Sequence, residues 1–356
     1  MPGSVFGEFL TVSTFGESHG AAVGVVVDGV PPGLPLSVED VQRDLDRRRP
    51  GQSGVTSARR EPDRAELLSG LFEGRTTGTP IAIVIRNEEH RSSDYERFRD
   101  AFRPGHADWT YQAKYGIRDW RGGGRSSGRE TAARVAAGAV ARAILAARGV
   151  TVTGYALEIA GIRAVRVDLA EIERNPVRSP DPEAARLMER AIEEAKGQGD
   201  SVGGVVEVIA EGVPAGLGDP VFDKLEALLA HAVLSVGAVR GFEVGDGFAA
   251  ARLRGSAYND ELAVEGGRVR SRTNHAGGVT GGISNGERLV VRCAIRPPAS
   301  IARPQRTVTA GGEPVEIAVE GRHDPCIVPR AVPVLEAMVA LVLADRLLAQ
   351  ASLTKP

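Results

Sequence analysis

Two long apolar segments constrain this chain more than any other feature. Residues 130–148 are rich in alanine, which favours helix, and Gly149 is a good stop. Residues 331–350 are strongly apolar, which predicts a helix in a core or an interface. Each follows an arginine-bearing loop, running from Arg125 to Arg129 before the first and from Arg322 to Arg330 before the second. The parallel suggests two similar halves, although no clear sequence repeat accompanies it.

The elements around these helices are mixed. Strands are expected over 9–15 and 22–30, joined by the turn Gly16-Glu17-Ser18-His19-Gly20 and ended by Pro31-Pro32-Gly33. Ser37 reads as the N-cap of a helix to about Arg48, with Glu39 and Asp40 in its first turn. Further strands are expected over 81–86, 150–159, 205–210, 288–295 and 317–320. Helices are expected over 109–115, over 183–196 with a solvent-facing side, and from Asp219-Pro220 to about Leu234 with Pro at the first position. A length of 356 residues fits two domains or one large one, and no low-complexity linker divides the chain. The expectation is one α+β unit over 1–356, built of two similar sheet-and-helix halves. Aromatic residues are only 4%, so Val, Ala, Leu and Ile must fill the core.

Charge narrows the function. The net charge is −2, so the arginines are concentrated locally and form no global basic field. Nucleic-acid binding, which draws its affinity from an extended basic surface, is disfavoured. Cys293 and Cys326 lack metal-ligand spacing, which points to a reducing compartment without a structural disulfide. There is no apolar run of membrane-spanning length and no signal-peptide pattern, so the expected location is the cytoplasm.

The loop before the first long helix reads Arg121-Gly122-Gly123-Gly124-Arg125-Ser126-Ser127-Gly128-Arg129-Glu130. Glycines let backbone N–H groups approach an anion, a helix N-terminus adds a positive field, and arginines offer bidentate donors for phosphate or carboxylate. Such a segment expects a highly anionic small molecule. His19, on its turn beside Ser18, and His106, in Arg103-Pro104-Gly105-His106-Ala107-Asp108, could each be a proton donor over a ligand or a satisfied turn histidine. Arg47-Arg48-Arg49 reads by itself as the solvated end of a helix, and Arg59-Arg60 is ambiguous. Thr273-Asn274-His275-Ala276-Gly277-Gly278-Val279-Thr280-Gly281-Gly282 reads by itself as a flexible loop without a dinucleotide fingerprint. Arg322-His323-Asp324-Pro325-Cys326 joins a cation to possible acid–base groups, and Cys326 has no base partner to make it a nucleophile. No metal-binding pattern is present in the sequence.

Taken in order from about Gly7 to Leu348, these motifs resemble the chorismate synthase family. The resemblance implies a β-α-β sandwich assembled as a homotetramer. It also implies conversion of 5-enolpyruvylshikimate 3-phosphate to chorismate, the last step of the shikimate pathway. That reaction is an anti-1,4 elimination that needs reduced FMN without net redox change. By the same resemblance Arg48, Arg60, Arg103, Arg129 and Arg322 would bind the substrate's anionic groups. His106 would protonate the departing phosphate, and His19 would be the proton partner of the reduced flavin. Ser18 and Ser127 would support the two histidines, and Asp324 would act with flavin N5 on the ring hydrogen. FMN would contact Arg125, Ser126, Ser127, Gly237, Ala238, Gly281, Arg296, Pro297, Pro298, Ala299, Ser300 and Arg322. The chain looks like the family's compact type without long insertions, and that resemblance implies an external flavin reductase and a link to NADP.

Three departures from the family pattern are visible. Gly54 stands where arginine is frequent, which weakens anion binding unless Arg59 or Arg60 substitutes; Gly128 replaces alanine; Arg296 replaces lysine. Two other readings compete: a flavoprotein oxidoreductase, for which no nicotinamide fingerprint is present, and an Arg/Gly binding protein for RNA or an anionic metabolite, which scarce aromatics disfavour.

Overall fold

A computed structural model describes residues 3–52, 61–88, 95–96, 98–319, 321 and 323–353. Two five-stranded antiparallel sheets enclose a layer of helices. The first sheet has the spatial order Val5–Phe6, Thr11–Gly16, Ala22–Asp28, Ile81–Arg86, Ala65–Leu67. The second has the order Val239–Val244, Leu289–Ile295, Gly204–Glu211, Thr151–Ile159, Ile162–Arg163. Alternation fixes the register: Val25 pairs with Ile83, and Val23, Val25, Val27, Ile81, Ile83 and Ile85 all turn inward.

Among the described residues seven α-helices accompany the sheets: α1 (Val38–Arg48), α2 (Asp108–Tyr115), α3 (Thr131–Ala146), α4 (Pro182–Gly197), α5 (Leu225–Leu234), α6 (Gly255–Tyr258) and α7 (Val328–Leu353). The two long apolar segments are α3 and α7. They pack on each other, α3 against the first sheet and α7 against the second, which yields the β-α-β sandwich. Small side chains permit this. A Cβ on Gly138 of α3 would stand 2.3 Å from Ala337 Cβ of α7. At the centre of α7 the buried carboxylate of Glu336 accepts from Arg47 Nη1 (2.6 Å), Arg142 Nη2 (2.6 Å) and the Gly154 backbone N–H (2.6 Å). One side chain therefore joins α1, α3, α7 and the second sheet.

Local signals were decisive where they were self-contained. Ser37 caps α1 through a capping box with Asp40. Charged α4 buries one stripe, including Met188 and Ile192, and exposes the rest. Pro333 sits inside α7 and cannot donate to Pro329 O; Arg178 Nη1 fills that acceptor at 2.6 Å.

Two expected elements differ. No helix starts at Asp219-Pro220; Asp219 and Asp223 exchange backbone hydrogen bonds of 2.8 and 3.0 Å, closing a loop, and α5 begins at Leu225. The strand expected over 317–320 is Pro314–Ile317, paired with Gln305–Val308, and Glu320 lies outside the described residues.

Candidate active site

The glycine run before α3 adopts backbone angles that side chains resist: φ is +66° at Gly122, +93° at Gly123 and +53° at Gly124. Space is as restrictive as conformation. A Cβ on Gly122 would lie 2.2 Å from His19 Cε1, and one on Gly123 would lie 2.7 Å from His106 Cε1. Two histidines from separate turns thus meet the same loop. His19 is buried, lies 3.0 Å from Ser18 Oγ through its Nδ1, and packs edge-on against Tyr95 at 5.2 Å.

Arg48 is only 2% exposed, so the solvated-helix-end reading of this residue is overturned. Its Nη1 donates to Asp63 Oδ2 (2.6 Å), its Nε to Thr131 Oγ1 (3.1 Å) and its Nη2 to Gly128 O (2.9 Å). Burial pulls its pKa down to about 10, with Asp63 opposing and Arg330 and Arg129 reinforcing, so it stays cationic at neutral pH. Arg129 donates to the other oxygen of Asp63, to Asn87 Oδ1 (2.8 Å) and to Arg86 O (3.0 Å). Asp63 therefore holds two guanidiniums side by side. Burial alone would raise its pKa, but the two cations hold the carboxyl below the usual range.

Arg103 is clamped by Asp108, which accepts Nε at 2.8 Å and Nη2 at 2.9 Å. Arg330 pairs with Asp324 and donates to Arg48 O at 3.2 Å. Arg125 reaches into the first sheet, donating to Thr14 Oγ1 (2.8 Å) and Gly16 O (3.1 Å). Arg134, one turn into α3, donates to Ser235 Oγ at 2.6 Å. Arg296 donates to Gly105 O at 3.0 Å, while its buried Nε has no partner among the described residues.

The arginines just described line one cleft of about 1120 Å³. Its wall carries Arg48, Arg103, Arg125, Arg129, Arg134, Arg240, Arg296 and Arg330, against the carboxylates of Glu61, Glu130 and Asp324. His106, Ser126, Ser127, Gly237, Ala238, Pro298, Ala299 and Ser300 also face it. Ser18 and His19 stand beside Gly122 outside the lining. Pro297 is likewise not in the wall.

Three expectations need correction or bounds. Among the described residues Ser127 Oγ makes no hydrogen bond to an imidazole; it accepts the Arg129 backbone N–H at 3.3 Å and caps the turn Gly128–Glu130. Gly281 is not in the cleft of this chain, because it occupies the turn of the hairpin Val279–Thr280 and Ile283–Ser284. The loop 273–282 is tied down, not loose: Asp260 accepts Thr273 Oγ1 and the backbone N–H groups of His275 and Ala276 at 2.6–2.9 Å. Gly54, Arg59, Arg60 and Arg322 lie outside the described residues.

Sequence reasoning missed Asp63, Arg134, Arg240 and Arg330 as members or supports of the site. Only Arg134 had a local sign, its pairing with Glu130 four residues earlier at 2.9 Å. Cys293 and Cys326 are free and buried, and burial pushes both thiols up to about 12, which suits packing and not nucleophilic chemistry.

A cleft with this excess of arginine and an imidazole in its wall defines an enzyme site for a polyanionic small molecule. The chorismate synthase family model matches residues 10–348. Chorismate synthase of Chloroflexus aggregans is 58% identical over 98% of this chain and 96% of its own length. That of Syntrophobacter fumaroxidans is 58% identical over the full length of both chains. A solved structure titled as the crystal structure of chorismate synthase superposes with a TM-score of 0.78 at 33% identity, covering 97% of this chain and 93% of that one. The chain belongs to the chorismate synthase family.

Proposed function

We propose that the arginine-lined cleft is where this chain carries out its family's reaction. It is a carbon–oxygen lyase that converts 5-enolpyruvylshikimate 3-phosphate to chorismate by anti-1,4 elimination of phosphate and a ring hydrogen. The reaction depends on reduced FMN without net redox change. The observation that carries the assignment of the site is the meeting of His106 with eight arginines around one cleft.

The cleft's volume supports the reading that flavin and substrate share it. Pockets for one small molecule run to roughly 300–1,000 Å³, and this one is about 1120 Å³. The orphaned Nε of Arg296 and the open Cβ position of Gly237 suit a bound ligand. Arg125, Ser126, Ser127, Gly237, Ala238 and the segment from Arg296 to Ser300 are the residues to hold FMN. When bound, the reduced flavin supplies an electron-rich face that assists C–O cleavage.

The chain's own groups do the rest. Arg48 and Arg129, locked by Asp63, and Arg103, locked by Asp108, present fixed cations to the substrate's phosphate and carboxylates, so little reorganisation is needed on binding. Arg60 and Arg322 join them on the strength of the family pattern. His106 gives its proton to the leaving phosphate. His19, held by Ser18, partners the flavin. Asp324, held at the wall by Arg330, is the acid–base group for the ring hydrogen.

The same reading makes the chain one folding unit over 1–356, a cytoplasmic homotetramer served by an external flavin reductase. Exposed Phe222, Phe248, Leu262 and Val264 supply apolar surface for assembly, and among the described residues no helix is long and apolar enough to cross a membrane.

His106→Ala should lower kcat by about 10²–10⁴-fold while FMN affinity changes little. Anaerobic turnover with pre-reduced FMN, beside flavin fluorescence titration, measures both. An unchanged kcat removes His106 from the chemistry. In the same assay NADPH and oxidised FMN should give no chorismate until a separate reductase is added; turnover without one would discard the external-reductase reading. A light-scattering mass other than four subunits would discard the tetramer.

A further inference from the structure

We propose that Asp108 is a positioning residue that fixes His106 with its Nδ1–H bound inward and its Nε2 free to act, and that couples this orientation to Arg103. The proposal rests on the reading of His106 as the proton donor.

Asp108 is the first residue of α2 and is 3% exposed. It is not in the cleft wall, whereas Arg103 and His106 both are. The turn between them is tight: His106 N donates to Arg103 O at 3.2 Å, and Gly105 has φ +70°. This folds Arg103 and His106 over one carboxylate. Oδ2 accepts the Arg103 backbone N–H at 3.1 Å and Nε at 2.8 Å; Oδ1 accepts Nη2 at 2.9 Å and lies 3.0 Å from His106 Nδ1.

Those distances decide the tautomer. Burial alone would favour a neutral Asp108, but the hydrogen bonds from Arg103 and His106 outweigh it and hold the carboxyl far below its usual range. An anionic oxygen 3.0 Å from Nδ1 tolerates a proton there and repels a lone pair. Arg103 Nη2, 3.2 Å from the same Nδ1, is then a second donor converging on Oδ1 and not its hydrogen-bond partner. Arg118 Nη1, 3.8 Å from Oδ1, adds positive charge on the same side. With Nδ1 engaged, Nε2 is the atom left for chemistry. It faces Gly123, whose absent Cβ would stand 3.2 Å away. To give a proton from Nε2 while keeping Nδ1–H the ring must carry one on each nitrogen, and the Asp108 oxygen 3.0 Å from Nδ1 accepts the one that stays.

Asp108→Asn tests this because the amide cannot satisfy every partner. Arg103 presents donors to both oxygen positions, and the amide NH2 meets fewest of them at the Oδ1 position. There it donates to His106 Nδ1 and drives the ring proton to Nε2. The full-length protein labelled with ¹⁵N-histidine should show an Nδ1–H signal for His106 in the wild type and Nε2–H in D108N. Anaerobic kcat should fall by about 10²-fold or more, with FMN affinity within about twofold. A wild-type ring carrying its proton on Nε2 overturns the proposal, and that spectrum is available even if D108N fails to fold. A D108N ring still protonated on Nδ1 overturns it as well. If the tautomer switches and kcat is unchanged, the positioning role falls. His106→Ala then separates the causes: a fully active His106→Ala condemns the proton-donor reading itself, and an inactive one condemns only the part given to Asp108.

Discussion

Asp63→Asn should destabilise the protein by about 3–5 kcal/mol and raise the KM for the phosphorylated substrate roughly tenfold or more. The carboxylate is fully buried and gives one oxygen to Arg48 and one to Arg129, both within the cleft wall. An amide keeps the shape but turns an NH2 group on one guanidinium and removes the charge that both require. Denaturant melts and KM at saturating reduced FMN report the two effects. The linkage has a definite sign. Asp63 has a depressed folded-state pKa, so its stabilisation is present above the unfolded value of about 3.9 and is lost as pH falls through the folded value. Wild-type stability should therefore drop on acidification from about pH 5 to pH 3, and D63N should show a shallower drop. A variant of wild-type stability and unchanged KM would remove the shared carboxylate from both roles.

Gly122→Ala should lower kcat by about 10²-fold at a modest stability cost of about 1–3 kcal/mol. Its Cβ would overlap His19 Cε1 and Nδ1, at 2.2 and 2.5 Å, and come within 3.1 Å of Ser18 Oγ. His19 is held against Tyr95, so the ring cannot yield without leaving its place. Gly128 is the control in the same loop. It has no atom within 4 Å of its Cβ position and no positive φ, so Gly128→Ala should retain activity and gain about 0.4–1 kcal/mol. Equal kcat for G122A and G128A would show that the His19 contact is immaterial.

What could be read from the sequence depended on how local the cause was. The α1 cap needs only Ser37 and Asp40, three residues apart, and the long apolar helices announce themselves by composition. Their arginine-bearing approaches carried the site as far as residue type allows. Arg48 looked like a solvated helix end because its partner Asp63 lies fifteen residues on, and nothing in the spacing shows that the chain returns. Arg240 and Arg330 join the cleft from the second sheet and α7 for the same reason. At Asp219-Pro220 a sound local helix signal lost to a loop closed by its own backbone. Ser127 was read as a histidine's partner, and its Oγ also caps a turn by accepting the Arg129 N–H, which no spacing in the sequence shows.

Anaerobic conversion of 5-enolpyruvylshikimate 3-phosphate should be followed with chemically reduced FMN at a small fraction of the substrate concentration. Phosphate and chorismate should appear in equal amounts, over many turnovers per flavin, with the flavin still reduced at the end and no product with oxidised FMN. Tight FMN binding without turnover, or product formed only as reductant is consumed in step, would contradict a redox-neutral elimination in this cleft.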